Sequence, residues 1–313
     1  MSFSSEVKHE ITTVERESCC ERALLSAFIH INSNMIIANK QIQLQSEIEN
    51  ANIAKYIYTL LKKRYGVELE LSVLKKGRFK NSNIYSIKVL NRSIEVLEDL
   101  GIYSSLGMRP TPSKLITLKE CCVKSYLAGA FLASGSINAP STANYHLELS
   151  TTDDELSQYI LNLVLETDIK AKLTQRRARH VVYIKAADHI ADFLKIVGAH
   201  IKTLEFEDIR IQRDFKNSLT RLDNCEVANE MKSIKAGNKQ IDAIQKLIEF
   251  NRFNYMEERL IKVANMRMQY PESSLVELLD HYEEMYDETI SKSGLQHRFK
   301  KIIEFANSIE DKR

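Results

Sequence analysis

The chain has 313 residues, 44% hydrophobic and 27% charged, which excludes a disordered polypeptide and suffices for two domains with their own cores. No apolar stretch approaches the ~20 residues that span a bilayer. The opening segment MSFSSEVKHEITTVERESCC carries charges where a signal peptide needs an apolar run, so a cytoplasmic location without a membrane partner is expected. The formal charge of +2 is too small to name a partner, and the placement of charge matters more than its sum.

The five cysteines occur as two adjacent pairs, Cys19/Cys20 and Cys121/Cys122, plus Cys225. That spacing is neither a disulfide framework nor a CxxC motif, so reduced thiols are expected. Neighbouring cysteines on a helix point about 100° apart, which argues against the two pairs sharing one tetrahedral ion; no metal site is expected.

In chain order, the first helix of interest opens at the capping-box spacing Ser18-x-x-Glu21 and holds CCERALLSAFIHIN. MIIANKQIQLQS alternates as paired strands do, and NANIAKYIYTLLKKRY repeats at helical spacing. Two further strands flank the basic turn KKGRFK, with Lys75, Lys76, Arg78 and Lys80, and a short helix stops at Gly101.

The order then starts again. Thr117-x-x-Glu120 precedes CCVKSYLAGAFLASGSI, the alternating INAPSTANYHLELS follows, and Thr152-x-x-Glu155 opens DELSQYILNLVLE. Two strands flank RRARH, with Arg176, Arg177 and Arg179, and a last helix stops at Gly198. Laid over each other, the halves pair Phe28 with Phe131, Leu24 with Leu127, Ala27 with Ala130 and Tyr56 with Tyr159 in one register. A slightly shorter shift, a loop deletion, pairs Ile87 with Ile184 and Gly101 with Gly198. The predicted order is αββαββα, twice: an α+β fold with pseudo-two-fold symmetry.

The helix from Cys121 carries little bulk: Ala128, Gly129, Ala130, Ala133 and Gly135 stand where a buried helix would hold larger side chains. Gly in mid-helix costs ~1 kcal/mol relative to Ala and asks for a reason, which close approach of the partner helix near Phe28 supplies. Here LAGAFLASG, Leu127 to Gly135, resembles the LAGLIDADG motif of homing endonucleases. The resemblance implies paired motif helices at the domain core, and in that family a carboxylate at the last Asp position of each motif holds the metal that cleaves DNA. Those positions fall on Ile31 and Ser134, neither a carboxylate. Hard cations need oxygen ligands, so the packing half of the motif is kept and the catalytic half is missing; Asp153 and Asp154 are explained as helix caps.

Residues 201–253 mix charges with a late helical pattern and are expected to form a partly helical linker after a repeat domain of 1–200, with repeats at about 18–101 and 117–198. An all-helical unit is expected over 254–313. Asn254-x-x-Glu257 starts its first helix, which buries Met256, Leu260, Val263 and Ala264, and Ser274-x-x-Glu277 caps the second. The third, from Ser291, places Leu295, Phe299, Ile302, Ile303 and Ala306 on one face. The rest of it offers Lys292, Ser293, Gln296, His297, Arg298, Lys300 and Lys301, while the helix before it is acidic. That arrangement suits a helix-turn-helix that reads double-stranded DNA with these residues together with Ser274 and Ser291, although a solvated helix of a small bundle has the same pattern, and the joining segment is longer than a tight turn and lacks a glycine.

A degenerate LAGLIDADG domain followed by a helix-turn-helix resembles the WhiA family of bacterial regulators over nearly the whole chain, and SFSSEVKHE, RLDNCEVAN and ISKSGLQHRFKKI resemble that family's segments. The resemblance implies sequence-specific DNA binding linked to sporulation, cell division and chromosome segregation, at the nucleoid and without nuclease activity. The basic turns fit either a second phosphate-contacting surface or solvated ends that keep sheet edges from pairing. Two rival readings are an active metal-dependent endonuclease and a scaffold of the division machinery that binds a protein partner through the repeat domain. No phosphate-binding Gly loop, no HExxH after His9 and no nucleophile elbow occurs, so neither a catalytic residue nor a cofactor is expected.

Overall fold

Alternating apolar residues assemble into two four-stranded antiparallel sheets with the same strand order. The computed structural model describes residues 2–38, 41–75 and 83–309. After α1 (Phe3–Thr13), the first copy runs α2 (Ser18–Asn32), β1 (Ser33–Ala38), β2 (Gln41–Ile48), α3 (Ala51–Tyr65), β3 (Leu69–Lys75), β4 (Asn83–Val89) and α4 (Ser93–Asp99). A small hairpin, β5 (Tyr103–Ser104) with β6 (Gly107–Met108), leads to the second: α5 (Glu120–Ser134), β7 (Ser136–Ile137), β8 (Leu147–Thr151), α6 (Asp154–Leu165), β9 (Lys172–Arg176), β10 (Arg179–Ile184) and α7 (Ala187–Ile196). The sheets are ordered β1-β2-β4-β3 and β7-β8-β10-β9. Leu44 stands opposite Val89 in one and Leu149 opposite Val182 in the other. The tandem αββαββα fold is thus observed.

Both copies stop their last helix in the same way. Gly101 (φ 71°) and Gly198 (φ 92°) adopt the left-handed conformation, and the next amides, of Ile102 and Ala199, donate to Leu97 and Leu194 carbonyls at 3.0 and 2.9 Å. Helix starts differ from expectation. Ser18 is the first residue of α2 and Glu17 its cap; Lys119 caps α5, while the Thr117 hydroxyl bonds Tyr159 at 2.6 Å. Asp153, not Thr152, caps α6 by accepting the Leu156 amide at 2.8 Å. Before α6 four cap-competent residues, Thr151 to Asp154, stand in a row, whereas before α2 and α5 the hydroxyls of Ser18 and Thr117 are taken by Arg64 and Tyr159 from distant segments.

Helices α2 and α5 meet at the core. Leu24, Phe28, Leu127 and Phe131 are buried, and a Cβ on Gly129 would lie 2.2 Å from the Leu24 carbonyl oxygen. Only glycine permits this approach.

The segment expected as a partly helical linker is helical almost throughout, as α8 (His200–Glu249). No proline occurs between Pro140 and Pro271, and short-range pairs such as Arg210–Glu207 at 3.2 Å support a solvated helix. The chain divides into two compact units, Met1–Arg213 and Asp214–Arg313. In the second, α9 (Glu258–Gln269), α10 (Glu277–Tyr286) and α11 (Lys292–Asn307) share a core with Ile244 and Leu247 of α8. Glu257 is the cap of α9, and Asn254 lies in a 3₁₀ turn (Phe253–Tyr255) before it. Among the described residues no helix is long and apolar enough to cross a membrane.

Candidate nucleic-acid interface

The last helix is set by its caps and one apolar stripe. At the start of α10, the Ser274 amide donates to Glu277 Oε2 at 2.6 Å and the Glu277 amide donates back to Ser274 Oγ at 3.3 Å, so this serine is engaged in a reciprocal cap. That bond to the Ser274 backbone holds the Glu277 carboxyl below its ordinary value. Asp287 ends α10 at φ 51°, doing with an aspartate what the expected glycine of a helix-turn-helix does. Ser291 then caps α11, its Oγ accepting the Gly294 amide at 3.1 Å.

Leu295, Phe299, Ile302 and Ala306 of α11 are buried. Lys292, Ser293, Gln296, His297 and Lys300 stand exposed, with Lys300 held loosely by Glu304 at 3.8 Å. Arg298 is turned inward: it donates to Tyr282 Oη at 2.8 Å and lies over that ring. The Tyr282 hydroxyl donates to Glu288 Oε2 at 3.1 Å, and Lys262 holds the other oxygen at 2.8 Å. The Lys262 bond keeps the Glu288 carboxyl low. Arg298 therefore ties α9, α10 and α11 together, and Lys301, almost one helical turn further on, is half-buried.

Arg267 is the residue the sequence reading passed over. It is 2% exposed, donates to Gln240 Oε1 at 2.9 Å and to the Ser273 carbonyl at 2.6 Å, and lies over the Phe299 ring. Burial lowers its pKa. Its signal was phase: Leu260, Val263, Ala264 and Arg267 fall on one buried stripe.

In the repeat unit, Ile31 packs against the core. Ser134 Oγ accepts the Ser150 amide at 3.2 Å and reaches the Ala130 carbonyl at 3.5 Å. Beside these helix ends a cleft of about 450 Å³ is lined by Lys8, Asn32, Glu47, Glu49 and Ala133. Lys8 donates to the Leu132 carbonyl at 3.3 Å, and burial pushes its pKa down to about 8. Asp153 is spent as a cap, and Asp154 faces His180 at 3.0 Å.

Of the basic turns, Lys75 ends β3 exposed, while Lys76, Arg78 and Lys80 lie outside the described residues. Arg176 meets Glu148 at 3.2 Å and Arg179 meets Ser150 Oγ at 3.2 Å. Arg177 turns the hairpin at φ 55°.

The cysteines correct an expectation. The sulfurs of Cys19, Cys20, Cys121 and Cys122 all lie within 4.8 Å of one another. Within each adjacent pair the sulfurs come to 3.9 and 4.0 Å, and α2 and α5 bring their first turns together, so the two pairs face each other.

Paired αββαββα units around small-residue helices, followed by a helical unit with a capped and outward-facing last helix, define a LAGLIDADG-like protein with a helix-turn-helix domain. The WhiA N-terminal LAGLIDADG-like domain matches residues 18–103, the WhiA LAGLIDADG-like domain residues 123–216, and the WhiA C-terminal HTH domain residues 219–306. The chain belongs to the WhiA family. It is 42% identical to the "Probable cell division protein WhiA" of Bacillus cytotoxicus over 99% of this chain and 97% of that protein, and a Bacillus cereus relative of the same name matches equally. Full-length WhiA from Thermatoga maritima shares the fold, with a TM-score of 0.58 at 23% identity over 98% of this chain and 99% of that one.

Proposed function

We propose that this protein is a sequence-specific, double-stranded-DNA-binding regulator of cell division and chromosome segregation, acting on transcription at the nucleoid through α11 and without nuclease activity. The carrying observation is the outward face of α11, where Lys292, Ser293, Gln296, His297 and Lys300 stand exposed behind a serine cap. Amides and hydroxyls match base edges, and lysines neutralise phosphate. The process comes from the relatives, whose name is that of a cell division protein.

Against hydrolysis stand Ile31 and Ser134 at the acid positions and the Lys8 ammonium on the Leu132 carbonyl, where it would repel a divalent cation. A second phosphate-contacting surface at Lys75, Arg176, Arg177 and Arg179 is part of the proposal, weakened by the Glu148 carboxylate that engages Arg176.

Chromatin immunoprecipitation with sequencing tests the reading. Discrete sites that vanish in a Gln296→Ala/His297→Ala variant at equal protein level are the expected result. Unchanged occupancy would overturn it, and a variant that keeps full division function would favour the protein-scaffold reading. Magnesium-dependent nicking of plasmid by purified protein would refute the non-enzymatic part.

A further inference from the structure

The first turns of the two pseudo-symmetric core helices each carry an adjacent cysteine pair, at the same positions after the cap: Cys19 and Cys20 in α2, Cys121 and Cys122 in α5. Within each pair the sulfurs are 3.9 and 4.0 Å apart, and no two of the four are separated by more than 4.8 Å. A tetrahedral ion with metal–sulfur bonds of about 2.3 Å holds its sulfurs about 3.8 Å apart. Each pair thus supplies one edge of the tetrahedron, and the helix crossing supplies the other four.

We propose that Cys19, Cys20, Cys121 and Cys122 bind one Zn²⁺ ion that clamps the N-terminal turns of α2 and α5. The donor set decides the ion: four soft thiolates in a closed tetrahedron suit structural zinc, and a multi-iron cluster needs thiolates spread around a wider core. Four thiolates and Zn²⁺ leave two negative charges, and the converging positive ends of two helices favour them. Ser125 lines the same cleft as Cys20 and Cys121, where a hydroxyl can serve as an outer-shell partner of the kind that orients metal ligands. A cleft lined by Arg16, Cys20, Cys121, Lys124 and Ser125 gives the ion a way in. Cys20 and Cys122 are buried while Cys121 is exposed, so the site sits at the rim of the core.

The full chain, purified under reducing conditions, should contain one zinc per chain by elemental analysis. Exchange for Co²⁺ should give the intense thiolate charge-transfer and visible bands of a tetrahedral sulfur site. Cys225→Ser should retain the metal; Cys121→Ser, chosen because that side chain is exposed, should lose at least tenfold in affinity while its far-ultraviolet circular dichroism stays native. Thiol counting on the unaltered protein is independent of any variant's folding: the loaded chain should leave Cys225 reactive and protect the other four. Absence of metal with all thiols free, a disulfide joining the two pairs, or full metal retention in Cys121→Ser would overturn the assignment.

Discussion

Replacing Gly129 by alanine tests the helix pairing on which the fold depends. On an isolated helix the change is favourable by ~1 kcal/mol. Here the new Cβ would lie 2.2 Å from the Leu24 carbonyl oxygen, 2.9 Å from its carbon and 3.0 Å from its Cα, all backbone atoms that cannot rotate away. Carbon–oxygen contacts between helices settle at about 3.3 Å, so α2 and α5 must part by roughly 1 Å. A gap of that order forfeits a quarter to a half of the dispersion attraction at each facing contact, and overpacked cores lose about 1–3 kcal/mol or somewhat more. The net expectation is a loss of ~2 kcal/mol, which at a urea m-value of about 2 kcal/mol/M lowers the midpoint by about 1 M. The same substitution at Gly237, where the nearest atom to a Cβ is 3.5 Å away, should stabilise by up to ~1 kcal/mol. Urea denaturation followed by circular dichroism compares them. A Gly129→Ala midpoint equal to or above the parent's would refute the argument that close approach fixes this residue.

Arg267→Met should destabilise the second unit by ~2–4 kcal/mol, because Gln240 and the Ser273 carbonyl lose their donor; Arg267→Lys should rescue little, since one ammonium cannot reproduce the planar fork, and thermal melts of the full chain measure both. Lys300→Ala should reduce the salt dependence of DNA binding by about one unit of slope with stability unchanged, whereas Arg298→Ala should lower the melting temperature by removing the bond to Tyr282; salt titrations of affinity beside melts separate the two. Lys8 has a pKa lowered to about 8 by burial, below the unfolded value of about 10.4. Between those values the unfolded chain binds more protons, so this residue contributes stability that rises with pH through the window, while below it the penalty of burying the ammonium is complete. Urea midpoints at each end of the window, compared with Lys8→Met, should show a pH-dependent difference that shrinks at the alkaline end; a constant difference would refute it.

Much of the architecture was written in local pattern. The two registers that pair Phe28 with Phe131 and Gly101 with Gly198 are enough to infer the repeat, because burial and left-handed helix ends constrain residue type position by position. Helix starts were less legible. Ser18 and Thr117 have the capping spacing, yet Arg64 engages Ser18 at 2.9 Å and Tyr159 engages Thr117, contacts between distant segments that no local window contains. The length of α8 was obscured because its charges obey no single stripe. Arg267 was legible in phase and missed because arginine is rarely buried. The convergence of four cysteines was invisible for a different reason: the side-chain directions on one helix argue against it, and only the crossing of α2 with α5 reverses the conclusion.

The small-residue positions and the acid positions of the two core helices obey different constraints. Gly129 is fixed by backbone atoms of a facing helix, so any substitution is felt through the whole core. The acid positions stand at helix ends, where Ile31 can join the core and Ser134 can take up a strand amide without moving either helix. Ser134 spends its single oxygen on that amide and offers a metal no negative charge. The opposite ends of the same two helices carry the four clustered sulfurs. An ion bound there would tie the two helices together at that end. The DNA recognition proposed above needs no part of this helix pair, since Lys292, Ser293, Gln296, His297 and Lys300 stand exposed on α11.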